Sequence, residues 1–112
     1  MSFSNTFETH VLNYVFTTTS VTRPTAWYVG LFTADPTDTG SGATEISGNA
    51  YTRKAATFTV SGNAATTSGA IEFDAATGSW GTISHIGIFD AASSGNLIAH
   101  SNLSASKAIG TG

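Results

Sequence analysis

The sequence predicts a mainly β fold, a small antiparallel sandwich or barrel carrying one short N-terminal helix. Three observations predict it. Apolar residues alternate with a period of two in several short stretches, Gly, Ser, Thr and Asn cluster between those stretches, and a helical period occurs once, near the start. Strands separated by Gly-rich turns favour antiparallel pairing, because a doubly wound parallel sheet needs helices between its strands. At 112 residues the chain has room for one domain, expected over 1–112, with the helix at about 5–16 and the β region at about 24–105.

Taken in order, Phe7, Val11, Tyr14 and Val15 fall on one helix face between Asn5 and Phe16. Asn5 and Glu8, three apart, read as a capping box, and the run Thr17 to Ser20 ends the helix. Pro24 then holds Arg23 out of helical geometry. Trp27 to Phe32 is apolar on both faces and reads as a central strand, closed by the Asp35-Pro36 turn. Thr37 to Asn49 has the composition of a long exposed loop. Tyr51 to Val60 reads as a strand that places Arg53 and Lys54 on opposite faces. Ser61 to Ser68 is a polar turn, Ala70 to Phe73 a short strand, Asp74 to Gly81 a connection, Thr82 to Phe89 a strand, and Asn96 to about Leu103 the last one. The expected core is Trp27, Val29, Leu31, Phe58, Ile71, Phe73, Ile86 and Ile88. A sheet that ends this way has an edge to cover, by the N-terminal helix, a partner subunit or a larger assembly.

Composition excludes several functions. Only 10% of residues are charged, so Thr, Ser, Gly and Asn cover the surface, and a net charge of −3 supplies no basic field for a phosphate backbone. Nucleic acid is therefore not an expected partner. With no cysteine there is no disulfide framework, thiolate metal site or cysteine nucleophile. Apolar runs of a few residues are far below the ~20 that span a bilayer, and the opening residues lack a signal-peptide pattern, so no membrane insertion and synthesis in the cytoplasm are expected.

Few residues suggest chemistry. His10, His85 and His100 have no metal-ligand spacing, and His85, on a strand face with Ile83 and Phe89, reads as a half-buried ring making one hydrogen bond. Asp35, Asp38 and Glu45 share one loop with hydroxyls and carbonyls, which is calcium chemistry, but the spacing is not that of an EF-hand and a solvated loop is the simpler reading. Glu72 and Asp74 point to one strand face and, with His85 and His100, are the residues a small hydrolase would have to bring together. No nucleophile elbow or phosphate loop is present. Trp80, in a Gly-Ser-Trp-Gly connection, is the aromatic expected to be partly exposed, so a ligand or partner patch would comprise Trp80, His85, Asp35, Asp38 and Glu45. No cofactor and no metal are expected.

Three stretches, YVGLFTADPTDTGSGATEISGNAYTRKAATF from Tyr28, TGSWGTISHIGIFDA from Thr77 and SGNLIAHSNLSASKAI from Ser94, carry a family resemblance. The combination of LFTADPTD, TEISG.AYTR and WG.ISHIGIFDA resembles the small bacteriophage virion proteins known as tail-fibre-like. The resemblance implies a non-catalytic structural protein of the virion, made in the bacterial host, with other virion proteins as partners and no catalytic residues to carry over. Members of that family usually continue past the SASK segment with a Gly-Asp turn and a final strand. Here Gly112 follows soon after, so a closing strand is expected from another protein or is dispensed with. A domain with a radius of gyration of about 13 Å is too small for a fibre shaft. The resulting expectation is a homo-oligomer, a trimer above other states, docking outside the particle as capsid decoration or tail appendage. The alternative is a glycan-binding tip using Trp80, His85 and the 37–49 loop.

Overall fold

The computed structural model describes residues 2–112. They form β1 (Ser2–Phe3), α1 (Asn5–Phe16), β2 (Trp27–Phe32), β3 (Lys54–Ala56), β4 (Phe58–Ser61), β5 (Ala64–Thr67), β6 (Gly81–Phe89) and β7 (Leu97–Ile109). Five strands make one antiparallel sheet in the order β1-β7-β6-β2-β3, while β4 and β5 pair with each other in a separate ribbon. The fold is mainly β with one short helix, as the periodicity predicts. The sheet does not close into a barrel. Its edges are the two-residue β1 and the three-residue β3, and after Ala56 the chain departs into the ribbon instead of extending along that edge.

The helix spans the expected residues, but its cap lies one residue earlier than the sequence suggests. Ser4 Oγ accepts from Phe7 N at 3.3 Å and donates to the Leu97 carbonyl at 2.5 Å. The pairing of β1 with β7, continued by Ser4 N to Ile98 O, holds the backbone to this point, and Asn5 N is taken by the Asp38 carbonyl. Asn5 therefore starts the helix instead of capping it. Thr17 ends it as expected, its N–H and Oγ1 both donating to Asn13 O. The expected packing face is a larger correction: Phe7 alone is buried, while Val11, Tyr14 and Val15 are exposed, because the helix touches the sheet only through its first turns.

β2 has the predicted bounds and lies inside the sheet between β6 and β3. The predicted strand over Tyr51 to Val60 is divided at Thr57 between the sheet and the ribbon. Ser61 to Ser68, expected to be a turn only, contains the two-residue Gly62-Asn63 loop of that ribbon, with Gly62 at φ +60° where a hairpin of this twist needs a residue of positive φ. Ala70 to Phe73 joins no ladder and is corrected to a coil that Ile71 and Phe73 anchor by half-burial. β7 runs on to Ile109, because Gly81 to Ile83 of β6 resume pairing with Lys107 to Ile109 beyond a register break.

Two apolar clusters hold the layers. One joins Phe7 to Ile88, Ile98 and Ala99, with Trp27 and the ribbon's Phe58 against it, and the Trp27 and Phe58 rings meet edge to face at 6.5 Å. The other joins Ala76, Trp80 and Ile83, with Leu31, Ile46, Tyr51, Phe73, Leu103 and Ile109 around them. Of the expected core, Val29 and Ile88 are buried, and Trp27, Leu31, Phe58, Ile71, Phe73 and Ile86 are half-buried, because a single sheet with partial cover shields few side chains completely. On the opposite pleat Gly30 pairs with Gly87. A Cβ on Gly30 would lie 2.6 Å from Glu45 Oε2 and 2.8 Å from the Phe89 ring, so this bare stretch of sheet is what lets side chains lie flat on it.

The cap assignment is testable by thermal unfolding. Ser4→Ala removes a buried cap and its bond to Leu97 and is expected to cost about 1–2 kcal/mol, whereas Asn5→Ala is expected to change stability by less than about 0.5 kcal/mol; the reverse order would place the cap at Asn5.

Candidate functional site

The most highly connected polar cluster is built around Arg53, just before β3. Its guanidinium carbon sits 3.5 Å from the centre of the Phe89 ring. Its edges donate to Glu45, from Nε at 3.1 and 2.9 Å and from Nη2 at 2.8 Å, and Nη1 donates to the carbonyls of Ala91 and Ser94 at 3.0 and 2.8 Å. Tyr51 OH completes the cluster, donating to Glu45 Oε2 at 2.5 Å and accepting from Leu31 N at 3.0 Å. Burial, then the adjacent Glu45 carboxylate, pushes the Tyr51 phenol well above its ordinary range, so it remains a donor. The guanidinium thus joins the long loop, β6 and the turn into β7, and Tyr51 adds β2. A shallow hollow of about 300 Å³ opens beside it, flanked by Ser47, Gly48 and Ser93. Its charged walls already spend their hydrogen bonds on each other.

A second cluster ties the chain's start to the same loop. His100, buried on β7, places Nε2 2.8 Å from Asp38 Oδ1 and Nδ1 3.5 Å from Asp35 Oδ1. Ser2 Oγ also donates to Asp38 Oδ1, at 3.0 Å, and the hydrogen bonds from His100 and Ser2 hold the Asp38 carboxyl below its ordinary value. Asp35 Oδ1 accepts from Thr37 N at 2.8 Å, closing the predicted Asp-Pro turn around the fully buried Pro36.

The predicted patch is therefore distributed. Asp35 and Asp38 meet at His100, Glu45 belongs to Arg53, and His85 is half-buried with Nδ1 2.8 Å from Ser84 Oγ. The expectation of an exposed Trp80 is corrected. The ring is 6% exposed, edge-on to Tyr51 at 5.4 Å and to Phe73 at 6.3 Å, and its Nε1 donates to Asn49 O, because the chain from Asn49 to Tyr51 folds over it. The 37–49 loop is exposed or half-buried throughout, as expected, and is tied to the sheet near its end: Phe32 bridges to Glu45, and Ile46 N donates to Leu31 O, which draws the loop back along β2. Among the described residues, no group of three or more His, Asp or Glu side chains is placed to hold a metal. Asp74 pairs with Lys54 at 2.9 Å, His100 with Asp38 and His85 with Ser84, so no two of the four hydrolase candidates share a hydrogen bond. The Arg53 cluster escaped the sequence reading although TEISGNAYTR carries Glu45, Tyr51 and Arg53 together; the signal was there as a motif, without a geometry.

These features define a small β module whose buried polar groups hold loops in place. The family model described as podophage GP4 fiber I protein gp80 matches residues 2–112, and the chain belongs to that family of phage fibre-related structural proteins. No curated protein matches the chain.

Two outcomes test the clusters. Arg53→Met strands a partly buried carboxylate and is expected to cost about 3 kcal/mol in urea unfolding, with little recovery in Arg53→Lys, which lacks the planar fork; a cost below about 1 kcal/mol would remove the cluster's role. Because the folded pKa of Asp38 is depressed, its contribution is complete above the unfolded value of 3.8 and is lost as pH falls through the folded value. Asp38→Asn should therefore flatten the acid limb of the stability profile, and an unchanged limb would count against the His100 contact.

Proposed function

We propose that this chain is a non-catalytic subunit of the podophage tail fibre apparatus, carried on the outside of the virion in several self-associated copies, with three expected per assembly. The match to a fibre-protein family along residues 2–112 carries the reading and favours a tail appendage over capsid decoration. The structure supports it in two respects. Arg53 with Glu45, and His100 with Asp38, are engaged in loop-holding contacts, and the 49 × 28 × 24 Å body has the size of a fibre's terminal or adaptor module and not of a shaft. Contacts to other virion proteins supply the attachment.

Cryo-electron microscopy of intact virions, with antibody labelling of the chain, tests it. Density and label confined to the tail or its appendages are expected; symmetric density over the capsid lattice would replace the fibre role with decoration, and absence from purified virions would overturn both.

A further inference from the structure

The hollow beside Arg53 has a floor of paired charge and a rim of idle hydroxyls. Arg53 donates through Nε, twice through Nη1 and once through Nη2, which leaves the second N–H of Nη2 without an acceptor among the described residues. Around the opening stand the exposed residues Ser47, Thr52, Ser93 and Ser94, and among the described residues none of their hydroxyls makes a hydrogen bond within the chain. Earlier in the same loop the hydroxyls are bonded to one another, Thr37 to Thr39 and Thr39 to Ser41. Ile46 and Ala92 add an apolar part to the lining.

The rim is also held in a costly backbone conformation. Thr37, Asn49, Ala50 and Ser94 are the non-glycine residues with positive φ among the described residues, and three of them border the hollow. Asn49 at +53° and Ala50 at +66° lie between the lining residues Gly48 and Tyr51, and Ser94 at +53° lines it from the other side. A side chain disfavours this region, so such residues persist where other contacts fix them, and they gather at ligand sites. Here the fixing contacts are present. The Asn49 carbonyl accepts from Trp80 Nε1 and Thr77 N, its Nδ2 donates to Ser79 O, and the Ser94 carbonyl is held by Arg53. Both sides of the opening are thus preformed, which spares a small ligand the cost of ordering its site. We propose that the hollow binds a neutral, polyhydroxylated ligand, a single saccharide unit. Paired charge on the floor gives no preference to an ion, and the spare hydroxyls and N–H match a ligand that both donates and accepts. The apolar part can receive a sugar's C–H face, and about 300 Å³, at the lower end of ligand pockets, suits one ring. This site goes beyond the fibre reading and does not rest on it.

Amide chemical-shift titration of the isotope-labelled full chain is the test. The probes are D-glucose, D-galactose, D-mannose, L-rhamnose and N-acetyl-D-glucosamine, added separately, with inorganic phosphate as the charged comparison. At least one sugar should move the amides of Ser47, Gly48, Thr52, Ser93 and Ser94 saturably, with a Kd on the order of 1 mM, as befits a ligand of this size in an open site. Phosphate should not. The T52A/S93A variant removes two exposed hydroxyls that hold nothing in the chain, so its melting temperature and remaining amide spectrum should be unchanged while binding weakens at least about tenfold. A methyl glycoside of the sugar that binds separates the two sources within the proposal: retained binding marks a unit of a longer polysaccharide, and lost binding a free sugar. No saturable shift from any of the sugars at about 100 mM, well above that Kd, would overturn the inference. So would saturation of the same amides by phosphate, unchanged affinity in T52A/S93A, or saturable shifts confined to another face such as α1. Failure of every sugar leaves the fibre reading standing, and absence of the chain from purified virions would overturn that reading and leave this site standing.

Discussion

The placement of Arg53 between the face of Phe89 and the carboxylate of Glu45 is the constraint on which the rest of the structure depends. The segment from Thr33 to Arg53 must close between two neighbouring strands, and closing such a loop costs entropy that this mostly polar segment offsets only in part by the burial of Pro36, Ile46 and Tyr51. A guanidinium is suited to the task because it is planar, weakly hydrated and forked, so it can lie on an aromatic ring while its edges satisfy a carboxylate and two carbonyls. With Tyr51 donating to the same carboxylate, little of the desolvation cost of Glu45 is left uncompensated. The loop, β2, β3 and the turn between β6 and β7 are thereby one mechanical unit.

That unit needs a flat floor, which the glycine pair provides. Gly30 and Gly87 face each other across β2 and β6, and the absence of both side chains lets the Phe32 and Phe89 rings stack at 6.1 Å with Arg53 above the second. The same economy shows elsewhere: the buried interior is divided into two small clusters, and Trp80, Tyr51 and Phe73 fill the second with three mutually packed rings. A chain with 10% charged residues has few ion pairs to spend, so those it forms are placed at the junctions of segments.

Much of the organisation was legible in residue patterns, because the features concerned are local. The helix bounds, the stop at Thr17, the extent of β2, the Asp-Pro turn and the strand ending at Phe89 follow from neighbours within a few positions. The errors share a cause. Ser4 caps the helix because β7, more than ninety residues away, fixes the chain there; Ala64 to Thr67 forms a strand although each of its residues is exposed; Ala70 to Phe73 has strand composition but no neighbouring edge to pair with. Of the candidate site residues, Asp35 and Asp38 do converge, but on a histidine 62 residues beyond Asp38, which spacing does not reveal.

By itself the sequence determined the class of fold, the single helix, the uncharged surface and, through TEISGNAYTR and its companion stretches, the kind of family to which the chain belongs. Periodicity and composition are local quantities, and they specify local conformations and bulk solvation. Tertiary structure decided which side chains are covered: it buried Trp80, which a glycine-rich connection suggested was open, and left Val11, Tyr14 and Val15 bare on a helix whose pattern suggested a buried face. The reason is that burial depends on what another segment places above a residue, and that depends on closing long loops through contacts such as Arg53 with Glu45, whose energy exists only once the segments have met.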